Sequence, residues 1–229
     1  MDTKLKIEKL FSGQLSSWEL AKNNYTALIR VKVKELDVNG THYKVQFNPT
    51  RIVSSAAKVD TKSIQERKCF LCPANLPAVQ RGLPFKENYQ ILVNPFPIFP
   101  KHLTVPALEH VDQRIKNRFG DMLDLATYAQ DYVVFYNGPK CGASAPDHLH
   151  LQAGTSGLVP LQAEWQRLSR EVVKLVECDE NDYLAEVTGY VVPCFVIRSR
   201  NAETGNRLFM RLYDSMGKAA RTPGEEPMM

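Results

Sequence analysis

Apolar and polar positions change period several times along the chain. Ser16 followed three residues later by Glu19 has the form of a capping box and predicts a short helix to about Tyr25. Ile29, Val31 and Val33 then alternate with Arg30, Lys32 and Lys34, the period-2 signature of a half-buried strand. A second such run, Tyr43, Val45 and Phe47 against Lys44 and Gln46, follows a hairpin signal at Asn39-Gly40. Residues 48–68, with Pro49, Ser54, Ser55 and mixed charge, predict loop. Tyr89 to Val93 reads as a buried strand, and His102 to Val105 as its return. Between them, the three prolines of Asn94 to Pro100 forbid a helix.

From Asp112 the spacing of Ile115, Phe119, Met122 and Ala126 is helical, and Tyr132 to Tyr136 is again a strand. Trp165, Leu168, Val172 and Leu175 predict a second helix, and Tyr190 to Ile197 a strand interrupted by Pro193. The tail, Thr222 to Met229, carries no packing signal. The pattern as a whole predicts an α+β fold, a mainly antiparallel sheet flanked by helices, with the His148 to Gln152 strand central.

Composition changes this picture little. The 229 residues are 44% hydrophobic and 24% charged, with a net charge of +4, which excludes a disordered, collagenous or coiled-coil chain. No run of 18 apolar residues occurs and the start lacks an apolar signal region, so no membrane association is expected. Five thinly spread cysteines are unlike a disulfide scaffold and point to a reducing cytoplasm. Lys and Arg are scattered rather than clustered, so no nucleic-acid partner is expected.

Candidate chemistry begins at Cys69-Phe70-Leu71-Cys72, a C-x-x-C in a loop context that lets two thiolates reach one tetrahedral ion. His110 lies 38 residues beyond Cys72, and His148 another 38 beyond His110. Cys69, Cys72, His110 and His148 would form a closed, structural zinc site, with His102 as the competing ligand. On a strand, His148, His150 and Gln152 share one face while Leu149 and Leu151 enter the core. Before them runs Asn137 to Asp147, a loop of small residues that includes Gly142 and Ser144, whose backbone can approach a phosphate closely. A neutral imidazole there is a nucleophile towards phosphorus, and Gln152 would donate to phosphoryl oxygens.

Together these residues resemble the galactose-1-phosphate uridylyltransferase and diadenosine-tetraphosphate phosphorylase (ATP adenylyltransferase) branch of the histidine triad superfamily. Asn137-Gly138, Gly142-Ala143-Ser144 and Asp147-His148-Leu149-His150-Leu151-Gln152 are similar to the phosphorylases' N-x-G, G-A-S and D-H-x-H-x-Q elements. Cys69 to Asn75 is similar to the uridylyltransferase zinc loop, with Ala74 in place of a glycine. His102 to His110 resembles the superfamily's H-x-L-x-I-P-x-x-H hairpin with one extra spacer residue. Ser144 and His148 are likewise separated by one residue more than usual.

The resemblance implies a HIT-like fold and a structural zinc. It makes His150 the nucleotidylated nucleophile, His148 the zinc-side histidine, and Gln152 the group that favours transfer or phosphorolysis over hydrolysis. It also implies that Asn75, Asn137 and Ser144 contact nucleotide or phosphate. Arg51 is a further candidate, beside its reading as a solvated surface arginine. The expected substrate is a nucleotide sugar or a dinucleoside polyphosphate. Residues 1–157 are expected to form the HIT-like nucleotidyltransferase domain. Residues 158–229 are read as a helix-strand extension, part of a second half or of a longer chain. Monomer and homodimer both occur in the superfamily. A zinc-stabilised nucleotide-binding module, or an inactive relative, is the reading from a different class. A zinc deaminase fails because the cysteine pair precedes the histidines and the H-x-E base is absent.

Overall fold

The computed structural model describes residues 2–52, 56, 58–219 and 224–229. Two helices open the chain, α1 (Thr3–Ser17) and α2 (Glu19–Leu28), broken at Trp18 where the backbone turns extended (φ −115°, ψ 99°). The expected capping box does not form. Ser16 Oγ instead donates to the Gly13 carbonyl inside α1, and Asp2 caps α1 by accepting from the Lys4 N–H.

Strands β1 (Lys32–Val38) and β2 (Thr41–Phe47) pair as an antiparallel hairpin around Asn39 (φ 53°) and Gly40 (φ 77°). Two consecutive left-handed residues match the right-handed twist of the strands, which is why Asn-Gly signals such a turn. The hairpin begins three residues later than the alternation implied, and β1 is exposed along its whole length rather than half-buried. It stands off the main core, so alternation there sorts side chains without burying them. Within the predicted 48–68 loop lies a short helix, α3 (Thr61–Glu66), capped by Asp60 accepting from the Ser63 N–H. Ser54 and Ser55 of that loop lie outside the described residues.

The main sheet comprises β3 (Gly82–Phe85), β4 (Tyr89–Val93), β5 (His102–Pro106), β6 (Tyr132–Phe135) and β7 (His150–Thr155), ordered β3-β4-β5-β7-β6 and antiparallel throughout. Its register separates two faces. The row Val93, Leu103, Ala153 and Val134 packs into the hydrophobic core with Ile7, Phe11 and Tyr25 of α1 and α2 and Leu125 of α4 (Phe119–Tyr128). The adjacent row, Leu92, Thr104, Gln152 and Phe135, faces the other way, on the side of the candidate site. The histidine strand is thus interior but next to the edge, with β5 in the middle. It starts at His150, and His148 lies in the turn before it.

The helix predicted from Asp112 begins only at Phe119. Ile115 is buried, but in the loop ahead of it. Helix α5 (Pro160–Leu168) also ends before Val172, because residues 172–177 form strand β8. Its valines suit a pleated ladder, and pairing with β9 (Tyr183–Val187) outweighs the helical spacing. Strand β10 (Cys194–Arg198) starts just past Pro193, joins β9, and completes a three-stranded sheet. The last helix, α6 (Ala202–Ala219), returns to the main core through Phe209 and Tyr213. Phe209 stacks on Phe119 at 4.0 Å between ring centroids. The tail is packed, contrary to expectation. Glu226 is buried and accepts from the Ile115 N–H and the Tyr213 hydroxyl, with the Tyr136 hydroxyl 3.1 Å away. Thr222 and Pro223 lie outside the described residues. No helix among the described residues is long and apolar enough to cross a membrane.

Candidate active site and metal centre

The loop Cys69–Asn75 brings two thiols together, and the turn before β7 brings His148 to them. Cys69 Sγ lies 3.3 Å and Cys72 Sγ 3.6 Å from His148 Nδ1. His110 Nδ1 lies 3.3 Å from Cys72 Sγ and 3.2 Å from His148 Nδ1. Metal–ligand bonds of about 2.0–2.3 Å at tetrahedral angles imply ligand–ligand edges of about 3.4–3.8 Å. The four ligand atoms all lie within 4.8 Å of one another, so the cluster can hold a metal ion. Its outer bonds fit as well. His148 Nε2–H donates to the Ala107 carbonyl at 2.8 Å, which leaves Nδ1 with the lone pair a metal needs. Asn75 donates to the Cys69 carbonyl and closes the cysteine loop. Arg67 ties the same region to Asp147, whose other oxygen lies 3.8 Å from His110 Nε2.

Burial pushes the Cys69 thiol up, but the His148 contact and loop N–H groups outweigh it and bring it down to about 6. Burial and the neighbouring Cys69 push Cys72 up instead. Burial draws His148 down, and the Cys69 and Ala107 contacts more than reverse this. Cys69 is therefore drawn towards the thiolate form in which a cysteine binds metal. His102 is not part of this cluster.

Two residues further on, His150 is 4% exposed and donates from Nδ1 to the His148 carbonyl at 2.8 Å. Burial lowers its pKa, keeping the ring neutral with its lone pair on Nε2. The ring lines a cavity of about 320 Å³ walled by Trp18, Phe70, Leu71 and Phe96, with Ser144 and Thr104 among its polar groups. Such a space, apolar and aromatic with a few polar groups, has the character of a small-molecule site. His150 and Ser144 are the sequence candidates on its lining. Gln152 sits one pleat along the same face, while Gly142 (φ 90°) and Asn75 are exposed. Asn137 is held through its carbonyl by Gln113 at 2.9 Å.

At the far end of that face His102 is 1% exposed. Its Nδ1 accepts from the Ile98 N–H at 3.4 Å, and its Nε2–H donates to Gln152 Oε1 at 3.1 Å. The bond sets the amide's orientation and leaves the Gln152 NH₂ as the end free to serve a ligand. Arg51, in the turn Pro49–Arg51, lies near enough for its charge to depress His102. Gln113 and Arg67 carry no local sequence signal. Their roles come from distant segments meeting in the fold.

Residues 10–155 match the family described as "Domain of unknown function (DUF4922)". The chain belongs to the DUF4922 family. Among curated proteins, Diadenosine 5',5'''-P1,P4-tetraphosphate phosphorylase 2 of Saccharomyces cerevisiae (strain ATCC 204508 / S288c) is 29% identical over 147 residues, 57% of this chain and 45% of that protein. The DUF4922 chain thus spans about half the length of this relative. Two solved structures share its fold. Yeast Ap4A phosphorylase Apa2 with AMP superposes at a TM-score of 0.54, with 20% identity over 96% of this chain and 72% of that one. The same enzyme with Ap4A gives 0.57, with 18% identity over 94% and 74%. These likenesses bear out the HIT-like fold and the phosphorylase-branch resemblance read from the motifs.

Burial, reinforced by the Arg51 charge, takes His102 from its ordinary 6.5 down to about 3. Unfolding exposes the ring, which then binds a proton below about pH 6.5 that the folded state refuses. Stability is therefore expected to fall as pH drops from 6.5 towards 3, by up to about 1.4 kcal/mol per pH unit from this group. His102→Gln, which keeps a donor for Gln152, should flatten the dependence in urea melts at pH 5 and 7. An unchanged slope would place its origin elsewhere.

Proposed function

We propose that this DUF4922 chain transfers a nucleotidyl group from a dinucleoside polyphosphate to an acceptor phosphate through a covalent adduct on His150. The observation that carries the reading is the 2.8 Å contact of His150 Nδ1 with the His148 carbonyl, which requires an Nδ1–H and so leaves Nε2 for an α-phosphorus in the adjoining cavity. Nε2 would attack in line. The phosphorus–nitrogen bond forms as the bond to the leaving polyphosphate oxygen breaks, and that fragment departs with the electron pair. An acceptor phosphate oxygen then reverses the step and frees the imidazole. The Gln152 amide, oriented by His102, and the Ser144 hydroxyl would donate to the phosphoryl oxygens as charge shifts onto them. Asn137 and Gly142 would shape the loop around the phosphates, with Asn75 holding the cysteine loop from outside. Arg51 would add positive charge at the Gln152 end.

We assign the Cys69, Cys72, His110 and His148 cluster to zinc, on the two-sulfur, two-nitrogen donor set and its near-tetrahedral edges. Four protein ligands close the coordination sphere, so the ion would fix the loop beside His150 and take no part in the transfer. Cys141, Cys178 and Cys194, outside that cluster, are free thiols, which accords with a reducing compartment, and we place the protein in the cytoplasm on that basis.

Incubation with diadenosine tetraphosphate and inorganic phosphate tests the reading. Attack at the α-phosphorus releases ATP, and phosphate then removes the adenylyl group as ADP, so equal amounts of the two are expected, with sustained turnover only when phosphate is present. Turnover of a nucleotide sugar instead would shift the substrate class while keeping the chemistry. Tight binding of both without turnover would favour a nucleotide-binding module.

A further inference from the structure

The peptide groups of His150 meet a side chain where a strand should be. The Ala107 N–H donates to the Leu149 carbonyl at 2.9 Å, so residue 149 bonds towards β5. Antiparallel alternation then turns the N–H and C=O of residue 150 towards β6. Pro106, opposite His150 on β5, turns its own peptide groups towards β4, so it makes no backbone bond to residue 150. The register pairs Phe135 with Gln152, and two residues on it sets Asn137 opposite His150. The side chain of Gln113 fills that gap. Its Oε1 accepts from the His150 N–H at 2.7 Å, and its Nε2 donates to the carbonyls of His150 at 3.1 Å and Asn137 at 2.9 Å. The amide has one possible orientation, because two of its neighbours only accept and the third only donates.

Gln113 also holds the other end of the small-residue loop, since its N–H donates to the Pro146 carbonyl at 3.4 Å. Its own carbonyl accepts from the Tyr136 hydroxyl at 2.9 Å, and that hydroxyl lies 3.1 Å from the buried carboxylate of Glu226. The side chain is fully buried, so no water competes for these bonds.

We propose that Gln113 is the positioning residue for the nucleophile, standing in for a strand partner so that the His150 ring reaches the His148 carbonyl while both ends of the loop stay fixed. The geometric part stands on the hydrogen bonds alone. Its kinetic consequence rests on the nucleotidyl-transfer reading. A directly paired 137–150 ladder would draw the loop root against the strand, and the wedge keeps it open at the nucleophile.

Gln113→Met keeps the volume and removes the bonds. Two readouts are taken on the full chain with ¹⁵N-labelled histidine. The first is the long-range ¹H–¹⁵N spectrum of the imidazoles, which reports the tautomer. The second is single-turnover adduct formation from diadenosine tetraphosphate. Wild type should show one Nδ1–H tautomer at His150 and the variant a mixture, with adduct formation slowed about 100-fold at saturating dinucleotide and KM nearly unchanged. Tyr136→Phe, which removes a single support of Gln113, should show a smaller loss of the same sign, and is the variant read if Gln113→Met does not fold. A wild-type tautomer and adduct rate in the folded variant would overturn the proposal. If wild type forms no adduct but the variant loses the single tautomer, the positioning stands and the transfer reading falls.

Discussion

His150→Ala is expected to lower turnover of a dinucleoside polyphosphate by about 10⁴-fold or more, with nucleotide affinity changed only a few-fold. The size follows from the lack of a substitute. His148 has Nε2 engaged with the Ala107 carbonyl and Nδ1 turned to the thiols, and both nitrogens of His102 are engaged with Ile98 and Gln152. With His150 gone, the acceptor must attack the polyphosphate directly, without the two-step route that divides the barrier. Affinity survives because Trp18, Phe70, Leu71 and Phe96 still wall the cavity. Intact mass under non-acidic conditions should show one nucleotidyl group on wild type and none on the variant. Equal labelling of both would move the nucleophile elsewhere. His148→Ala gives a useful contrast, because its expected defect begins with the cysteine loop and shows in the melting curve.

The parts of this site that were legible in the sequence are those in which function imposes a local period. Cys69 and Cys72, three apart, have a spacing at which two thiols can reach one ion, and the residues from His148 to Gln152 alternate, with Leu149 and Leu151 in the core. Strands β4, β5 and β6 were legible for the same reason, being short apolar runs bounded by turn or proline signals. What could not be read depends on register between distant segments. Gln113 is an unremarkable loop glutamine until strand pairing sets Asn137 opposite His150. Glu226 lies in a stretch of turn residues, and its burial depends on Tyr136, Tyr213 and the Ile115 N–H converging there. His102 met the spacing rules for a metal ligand, yet it sits on β5 facing Gln152, because the hairpin puts its first histidine on the sheet and its second, His110, beyond the strand end. Val172 to Glu177 shows the opposite failure: a helical period that matched by count was overruled by valines with a strand to pair with.

Removal of the zinc proposed for the Cys69, Cys72, His110 and His148 cluster should have the second large effect, and the packing indicates where it falls. Cys69, Leu71 and Ala145 form a small hydrophobic cluster separate from the main core, with Cys72 against it. Three buried side chains cannot offset the ordering of two loops, whereas a structural zinc site contributes about 10–16 kcal/mol in small domains. Cys69→Ser, or dialysis against a strong chelator, is therefore expected to release the cysteine loop and the Ala143–His148 turn together. The sheet core of Ile91, Leu103, Leu151 and Ala153 should survive this, because no metal ligand belongs to it. The expected signature is one zinc per chain in protein purified without added metal and a melting midpoint lowered by at least about 10 °C on its removal, equivalent to a few kcal/mol for a chain of this size. Activity should vanish with most of the far-UV circular dichroism intact, because the His148 carbonyl that fixes the His150 tautomer and the Ser144 hydroxyl both lie on the released turn. A stoichiometry far below one, with melting and turnover untouched by the chelator, would mean that the four side chains hold the loops together without an ion.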